Sequence, residues 1–463
     1  MNINTLKNKT ILILGFGKEG RDTLCFLRKA FPNKTLGIAD RLELEKLDKK
    51  VKKTIKSTKN IELYFGKSYF DAIPQYDIVF RTPGIPLQSV QKYTNAKQKI
   101  TSQTDFFLQQ RRKKTIGITG TKGKGTTASL VFGMLKQNKL PVDLIGNIGK
   151  PVLSYLNSTV KKNTYVFELS AQQLQGLKIS PHIAVFLNLY RAHLDYFQNL
   201  KDYKKAKTNI LLYQEKFDWF VYNSDQKFLK DLSQKTKAQK VSIGLKNQKS
   251  DCWTNKKSIF WQKEKIVDIS KIQIQGNFNL YNIMSAIAVA KILNIPSSAI
   301  ENTIKRFRPL PHRLELIGKF KGITFYNDSL ATIPESAIFA INTFEPKLHT
   351  LIVGGYDAKQ EFKYLAKKIL ESKIRNLILF PPVGKRIKDN IILIAKKEDK
   401  FKKRLKQIKF FVADSMEQAV IYTFKNTVEG KICLLSPAAP SFGIFKDYKE
   451  RGELFKQNIK KYG

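Results

Sequence analysis

Short apolar runs alternate with longer amphipathic stretches along almost the whole chain. Such runs, bounded by turns, read as buried strands, and the stretches between them as the helices that carry the chain back. This is the repeating βαβ pattern of parallel sheets. It falls into three segments. The first opens on "TILILGFG" and continues through "LGIAD" and "YDIVFRTPGIP". The second begins near Lys113 with "TIGITG", runs through "TYVFELS" and "IAVFLNLY", and closes on the helical "LYNIMSAIAVAKIL". A linker-like "RFRPLPHR" follows, and the third segment carries "HTLIVGG", "IRNLILFPP", "FFVADS" and "KICLLSPAAP". The length of 463 residues suits the same division, into about three domains.

Composition narrows the class. Hydrophobic residues at 42% and charged residues at 26% are the proportions of an ordinary globular protein. Lys7 and Lys9 before "ILILGFG" look like the start of a signal peptide, but the apolar run is short. No small-residue cleavage site follows, and charged "KEGRD" comes at once. No run reaches the roughly 18 apolar residues of a membrane span. Cys25, Cys252 and Cys433 lie far apart and out of metal-ligand spacing, so a reducing cytoplasm is expected. The net charge of +45, from 83 Lys and Arg against 38 Asp and Glu, would suit a nucleic-acid binder. The lysines, however, are spread over the whole length with no basic tail. The expectation is a solvated basic surface that favours anionic ligands, and no nucleic-acid partner.

Two glycine-rich turns offer chemistry. The first strand ends in Gly15-Phe-Gly-Lys-Glu-Gly20, and Asp40 follows at the end of "LGIAD". Glycines there let the backbone approach a diphosphate at a helix N-terminus, and an acid at that distance can reach a ribose or base; tight βα turns also use glycine for packing alone. The second turn, Gly120-Thr121-Lys122-Gly123-Lys124-Gly125-Thr126, lies between a strand and the helix "TTASLVFGMLKQ". Amides and the helix dipole converge there on anionic oxygens, with Lys124 placed to reach β- and γ-phosphates. Phosphate loops usually follow their lysine with a hydroxyl residue that binds Mg²⁺, yet here Gly125 follows. Thr126, one residue on, is expected to hold the metal instead, the glycine letting the loop turn it inward, and Thr127→Ala is expected to do little.

Downstream, "YVFELSAQQL" places Glu168 at a strand's C-terminal end, where a carboxylate suits Mg²⁺ and where a plain surface glutamate is also common. His193 in "NLYRAHLDYF" reads as a ligand or as a structural histidine, and Lys207 in "YKKAK" as a functional group or as part of a solvated face.

These elements, in this order, closely resemble the Mur ligases, ATP-dependent amide-bond formers of peptidoglycan synthesis. The resemblance rests on "TPGIP", "GTKGKGTT", "GNIGKPVL", "FELSAQQL", "NLYRAHLD", "YKKAK", "GNFNLYN", "LPHRLE", "NDSLAT", "LIVGG" and "LLSPAAPSFGIFKDYKERG", and excepts a divergent stretch around 225–270. It implies an α/β fold of three Rossmann-like domains, at 1–110, 111–307 and 308–463. The first holds a UDP-substrate, the central P-loop ATPase-type domain, with its mainly parallel sheet, holds ATP, and the last holds an incoming amino acid.

Carried over, Gly17, Lys18, Glu19, Asp40, Thr82, Pro83, Gly84, Asn147, Ser170 and Gln173 match positions around the UDP-substrate. ATP falls to the loop Gly120–Thr127, with Asn279, Asn282, Arg313 and Asp328. Glu168 and His193 match Mg²⁺ ligands, two ions being expected with Thr126, and Lys207 matches the family's carbamate-bearing lysine. Ser441, Phe442, Tyr448 and Lys359 match positions that hold the amino acid. The last motif and the N-terminal turn are most similar to members that add glutamate to UDP-N-acetylmuramoyl-L-alanine through an acyl phosphate. This implies D-glutamate, with L-glutamate as the alternative, and a cytoplasmic monomer.

Some positions depart from the family. Gly125 replaces the hydroxyl residue, Ala192 an acid before the histidine, and Phe278 a histidine before Asn279. Leu330 stands where many members carry lysine, and Ala358 displaces Lys359 after "GGYD". Two other readings compete. A folylpolyglutamate synthase shares the K-G-[ST] loop but places it near the N-terminus. A P-loop ATPase on nucleic acid would suit the charge but has no use for "LPHR" or "NDSLAT".

Overall fold

The structure is a computed structural model that describes residues 2–147, 150–157, 163–193 and 196–463. Ile148 and Gly149 of "GNIGKPVL", and Leu194 and Asp195 of "NLYRAHLD", lie outside the described residues.

Among the described residues the strands form three sheets. The first holds β1 (Ile11–Leu14), β2 (Leu36–Asp40), β3 (Ile61–Phe65), β4 (Ile78–Arg81) and β5 (Lys99–Thr101), in the order β3-β2-β1-β4-β5. Its pairings are all parallel. The second holds β6 (Thr115–Thr119), β7 (Val142–Gly146), β8 (Thr164–Glu168), β9 (Ile183–Phe186), β10 (Trp219–Asn223), β11 (Gln239–Gly244), β12 (Cys252–Thr254), β13 (Ser258–Trp261) and β14 (Glu264–Asp268). Its order is β14-β13-β12-β11-β10-β9-β6-β8-β7. From β7 to β12 the pairing is parallel, and β13 then runs antiparallel to β12. The third holds β15 (Glu315–Phe320), β16 (Ile323–Asn327), β17 (Leu348–Gly354), β18 (Asn376–Phe380), β19 (Lys409–Val412) and β20 (Ile432–Leu435), ordered β15-β16-β20-β17-β18-β19. There, only β15 runs antiparallel.

Strands buried on both faces explain the continuous apolar runs. Ile11–Leu14, Ile183–Phe186 and Ile432–Leu435 are buried throughout, because helices cover both sides of a parallel sheet. β3 lies at a sheet edge and is half exposed, so its "IELYF" carries a glutamate.

The chain divides into two compact units. One comprises Met1–Leu189, Tyr196–Val267 and Asn282–Thr303, and carries the first two sheets. The other comprises Tyr190–Asp195, Asp268–Tyr281 and Ile304–Gly463, and carries the third. Strand order reverses beside β1 in the first sheet and beside β6 in the second. Both glycine-rich turns follow these strands, so each sits at a switch point, where open parallel sheets present ligand crevices.

Candidate functional site

The first glycine-rich turn leads from β1 into the helix Lys18–Ala30. Two of its glycines are dictated by packing: a Cβ on Gly15 would fall 2.0 Å from Thr82 Oγ1, and one on Gly20 would fall 2.1 Å from the Gly15 carbonyl oxygen. A Cβ on Gly17 would meet nothing within 4 Å, so the protein's own packing does not demand that glycine. Asp40, expected at a ribose or base, also braces the turn. Its Oδ2 accepts from the Phe16 amide at 2.6 Å and its Oδ1 from the Leu42 amide at 3.0 Å. The Thr82 hydroxyl likewise donates inward, to the Leu14 carbonyl at 3.1 Å, and Pro83 and Gly84 follow it at the end of β4.

Beside this turn lies a pocket of about 200 Å³ lined by Lys18, Glu19, Gln103, Asn147, Val152 and Gln173, among others. Four of these are residues expected around the UDP-substrate. Ser170 and Gln173 form a capping box at the helix Ala171–Leu174, which fixes the Gln173 amide: its Oε1 accepts from the Ser170 amide at 3.0 Å, and its Nε2 donates to Glu19 Oε1 at 2.9 Å. Burial, the largest influence, raises the Glu19 carboxyl to about 6, against the Gln173 hydrogen bond and the charges of Arg81 and Lys18.

Arg81, which sequence reasoning did not single out, is buried at the end of β4 and reaches the helix Ala171–Leu174 and its neighbours. Its guanidinium donates to the carbonyls of Ile85, Gln172 and Gln175, at 2.5, 3.4 and 3.2 Å, and to the Tyr196 hydroxyl at 3.3 Å. The signal was an arginine closing the otherwise apolar "IVFR".

The second glycine-rich turn runs from β6 into the helix Lys124–Gln137. Gly123 has φ 88°, and a Cβ there would fall 2.1 Å from Asn282 Oδ1, so only glycine fits. Asn188, also missed, clamps the loop: its Oδ1 accepts from the Lys122 amide and its Nδ2 donates to the Lys122 carbonyl, both at 2.9 Å. The Thr121 hydroxyl lies 3.1 Å from that of Tyr203. Lys124 Nζ folds back onto the carbonyls of Gly120 and Thr121 at 3.0 and 3.2 Å. Gly125, Thr126 and Thr127 are buried in the first helical turn, and Thr127 Oγ1 has no hydrogen-bond partner.

Across β6, register pairs Ile118 with Glu168, which brings this carboxylate to the same end of the sheet as the loop. Glu168 is buried, and its Oε1 accepts from Asn147 Nδ2 at 3.3 Å. Lys207, on the helix Leu200–Thr208, is 1% exposed, which removes it from the solvated-face reading. Its Nζ donates to the Gly120 carbonyl at 2.9 Å and to Thr119 Oγ1 at 3.2 Å. Desolvation foremost, and then the charge of Lys124, hold its amine well below the ordinary lysine range, against the pull of Glu168.

In the other unit, the loops after β16 and β20 are tied together. Asp328 Oδ2 accepts from Ser436 Oγ at 2.9 Å, and Oδ1 from the Leu314 amide at 3.3 Å. Arg451, a third residue missed, is fully buried and bridges the loops. Nε donates to Ser329 Oγ at 3.1 Å and Nη2 to the Ser329 carbonyl at 2.8 Å, while both Nη atoms reach the Ala439 carbonyl at 3.1 Å. Ser441 is buried beyond Ala439, whereas Phe442 is exposed and meets the Tyr356 ring edge-on at 6.1 Å. Tyr448 opens the C-terminal helix Tyr448–Tyr462, edge-on to His312 at 5.9 Å. Lys359 and His193 line one cleft of about 150 Å³ with Arg191, Glu335, Glu361 and Tyr364. Asn279 and Arg313 belong to this unit, and Asn282 to the first.

The chain matches the family profile described as Mur ligase middle domain over residues 118–290. It is 32% identical to a UDP-N-acetylmuramoylalanine--D-glutamate ligase of Clostridium acetobutylicum, over 99% of this chain and 97% of that protein. It is also 32% identical to the enzyme of the same name from Enterococcus hirae, over 99% of this chain and 98% of the other. Among solved structures it is similar in fold to the MurF ligase from Thermotoga maritima in complex with ADP, with a TM-score of 0.61 at 17% identity, covering 100% of this chain and 97% of that one.

Proposed function

The chain belongs to the Mur ligase family, and from that premise we propose that it joins D-glutamate to UDP-N-acetylmuramoyl-L-alanine at the expense of ATP. The observation that carries this reading is the position of Lys207, buried against the phosphate loop at the strand end that also presents Glu168. A phosphate-binding turn alone suits many ATPases. A buried amine and a carboxylate beside it suit the activation of a substrate carboxylate.

Residues 1–110 hold the UDP end, 111–307 the ATP and 308–463 the amino acid. A carboxylate oxygen of the substrate attacks the γ-phosphorus, the bond to ADP breaks, and an acyl phosphate forms. The amino nitrogen of glutamate then attacks the acyl carbon, and phosphate leaves from the tetrahedral intermediate as the nitrogen loses a proton. Both anions meet in the first step, so the loop amides and Lys124 contribute position and charge neutralisation.

Glu168 and Thr126 provide the oxygen donors that Mg²⁺ prefers, and no group of three or more His, Cys, Asp and Glu is gathered among the described residues. Two Mg²⁺ ions are proposed, completed by ligand oxygens, and His193 is the other metal ligand of that reading. Bound there, Mg²⁺ supplies charge screening between carboxylate and triphosphate.

Lys207 carries a carbamate in the working enzyme. Its neutral amine attacks the carbon of CO₂, an N–H proton leaves to solvent, and the product presents two oxygens like a long carboxylate. The protein works as a cytoplasmic monomer; among the described residues no helix is long and apolar enough to cross a membrane.

The test is phosphate release from ATP. It should require UDP-N-acetylmuramoyl-L-alanine together with D-glutamate, and yield a product heavier by one glutamyl residue. Release driven by DNA, RNA or folate, and not by the UDP-substrate, would replace this reading with one of its rivals.

A further inference from the structure

The pocket beside the first glycine-rich turn contains an acid that the protein leaves half satisfied. Glu19 Oε1 accepts from Gln173 Nε2, but Oε2 is inaccessible to solvent and no donor in the protein reaches it. A buried carboxylate oxygen without a donor is costly, and the cost is relieved by a proton or by a donor from a ligand.

The surroundings favour the proton once an anion enters. Glu19 lies in the first turn of the helix Lys18–Ala30, where amide groups and the helix dipole attract phosphate. The charged groups that act on it are Lys18 and Asp22 from its own helix and Arg81 from β4. Asp22 is itself raised, mainly by burial, and its Oδ2 accepts from Gln103 Nε2 at 2.9 Å. A diphosphate brought into this pocket adds two negative charges beside a carboxylate in a low-dielectric site, which drives the carboxylate toward its neutral form.

We propose that the pocket takes its UDP-linked substrate together with one proton, held on the Glu19 carboxyl at Oε2. This rests on the reading of the pocket as the UDP-substrate site. In the free protein the Glu19 carboxyl stands at about 6, so it is mostly ionised at pH 7. The diphosphate is fully ionised at that pH and carries no proton to give. Binding therefore draws a proton from solvent at pH 7, up to one per site, and affinity falls as pH rises above the raised Glu19 pKa, by up to about tenfold per unit.

The experiment is calorimetric titration of the full-length protein with UDP-N-acetylmuramoyl-L-alanine, without ATP, in phosphate and in Tris. The different ionisation heats of the two buffers report the protons exchanged. The wild type should take up close to one proton at pH 7. Glu19→Gln is the isostere of the protonated acid: it keeps an acceptor for Gln173 and presents an N–H₂ donor. It should bind with that uptake abolished and with an affinity that no longer falls above pH 6. Binding without proton uptake in the wild type, or uptake that persists in Glu19→Gln, would overturn the proposal while leaving the pocket assignment intact. So would a Glu19→Gln protein that no longer binds, because the neutral side chain is the form assigned to the complex. Absence of any binding to the wild type would instead remove the pocket assignment, and the proton with it.

Discussion

Lys207 Nζ donates to the carbonyl oxygen of Gly120 at 2.9 Å, so the amine is held directly against the loop that follows β6. Its two lysine neighbours on the helix are not. Lys205 is exposed, and Lys204 lies over the Phe228 ring at 5.2 Å.

Because the Lys207 amine is held below the ordinary lysine range by burial, it is available as the neutral nucleophile that CO₂ requires. Lys207→Ala should lose about 10²-fold or more in rate, the scale of a lost transition-state contact, and regain part of it with added acetate. Wild-type enzyme stripped of CO₂ should slow and recover on adding bicarbonate, while Lys204→Ala and Lys205→Ala behave as wild type. Steady-state rates in CO₂-free and bicarbonate-supplemented buffer decide it; full activity of Lys207→Ala would reduce the residue to a structural amine.

The hydroxyls of Thr126 and Thr127 should separate cleanly. Thr126→Ala should cost about 10²-fold in Mg²⁺-dependent turnover if that oxygen serves the metal that Gly125 cannot. Thr127 Oγ1 is buried without a hydrogen-bond partner. Its isosteric replacement in Thr127→Val removes a desolvated hydroxyl, so stability should change by less than about 1 kcal/mol and in the stabilising direction. Urea unfolding and a magnesium titration of the rate give both readings, and an unaffected Thr126→Ala would remove the metal assignment.

How much of this was legible in the sequence depends on where each partner lies. Strands such as "ILIL", "IAVF" and "ICLL" could be read because burial on both faces leaves an unbroken apolar run. The extension from β12 to β14, where β13 runs antiparallel to β12, could not, since it falls in the stretch 225–270, where short strands carry mixed polarity. Glycine-rich turns announced themselves, yet Gly15 and Gly20 prove to be packing glycines. Asp40 sits at the expected spacing, and its hydrogen bonds to the amides of Phe16 and Leu42 carry no sequence signal. Arg81 and Arg451 were invisible for a common reason. Most of their acceptors are backbone carbonyls, which carry no residue signature, and several come from loops distant in sequence.

Arg81 should matter for both stability and substrate binding. Burial, the largest influence, lowers its pKa, yet its guanidinium spans carbonyls from the β4 end to the helix that carries Gln173. Arg81→Met keeps most of the volume but leaves those carbonyls without their donor, at a cost of about 2–4 kcal/mol. The KM for the UDP-substrate should rise more than the KM for ATP, because the Gln173–Glu19 contact shares this support. Denaturation midpoints and the two KM values test it, and equal rises in both would mean general loosening.

The acceptor amino acid should be D-glutamate, selected by loops of the C-terminal unit. Ser441 is buried beyond Ala439, whose carbonyl Arg451 holds, and on this reading its hydroxyl donates to a carboxylate of the amino acid. On the same reading, the exposed Phe442, edge-on to Tyr356, and Tyr448 at the helix start would wall a short side chain. Leu330 provides no cation, and Arg191 pairs with Glu361, which leaves Lys359 in the cleft as the basic group for a side-chain carboxylate. A diamino acid would bring a second ammonium toward Lys359, with Glu335 as the one acid of the cleft not paired with Arg191. Lys359→Ala should therefore raise the KM for D-glutamate about tenfold, the range of a single charge-assisted hydrogen bond, with a smaller effect on kcat. The measurement is phosphate release and product mass with D-glutamate, L-glutamate, L-lysine or meso-diaminopimelate supplied one at a time. A preference for L-glutamate would overturn the stereochemistry alone, whereas turnover with a diamino acid and none with either glutamate would overturn the acceptor site as drawn.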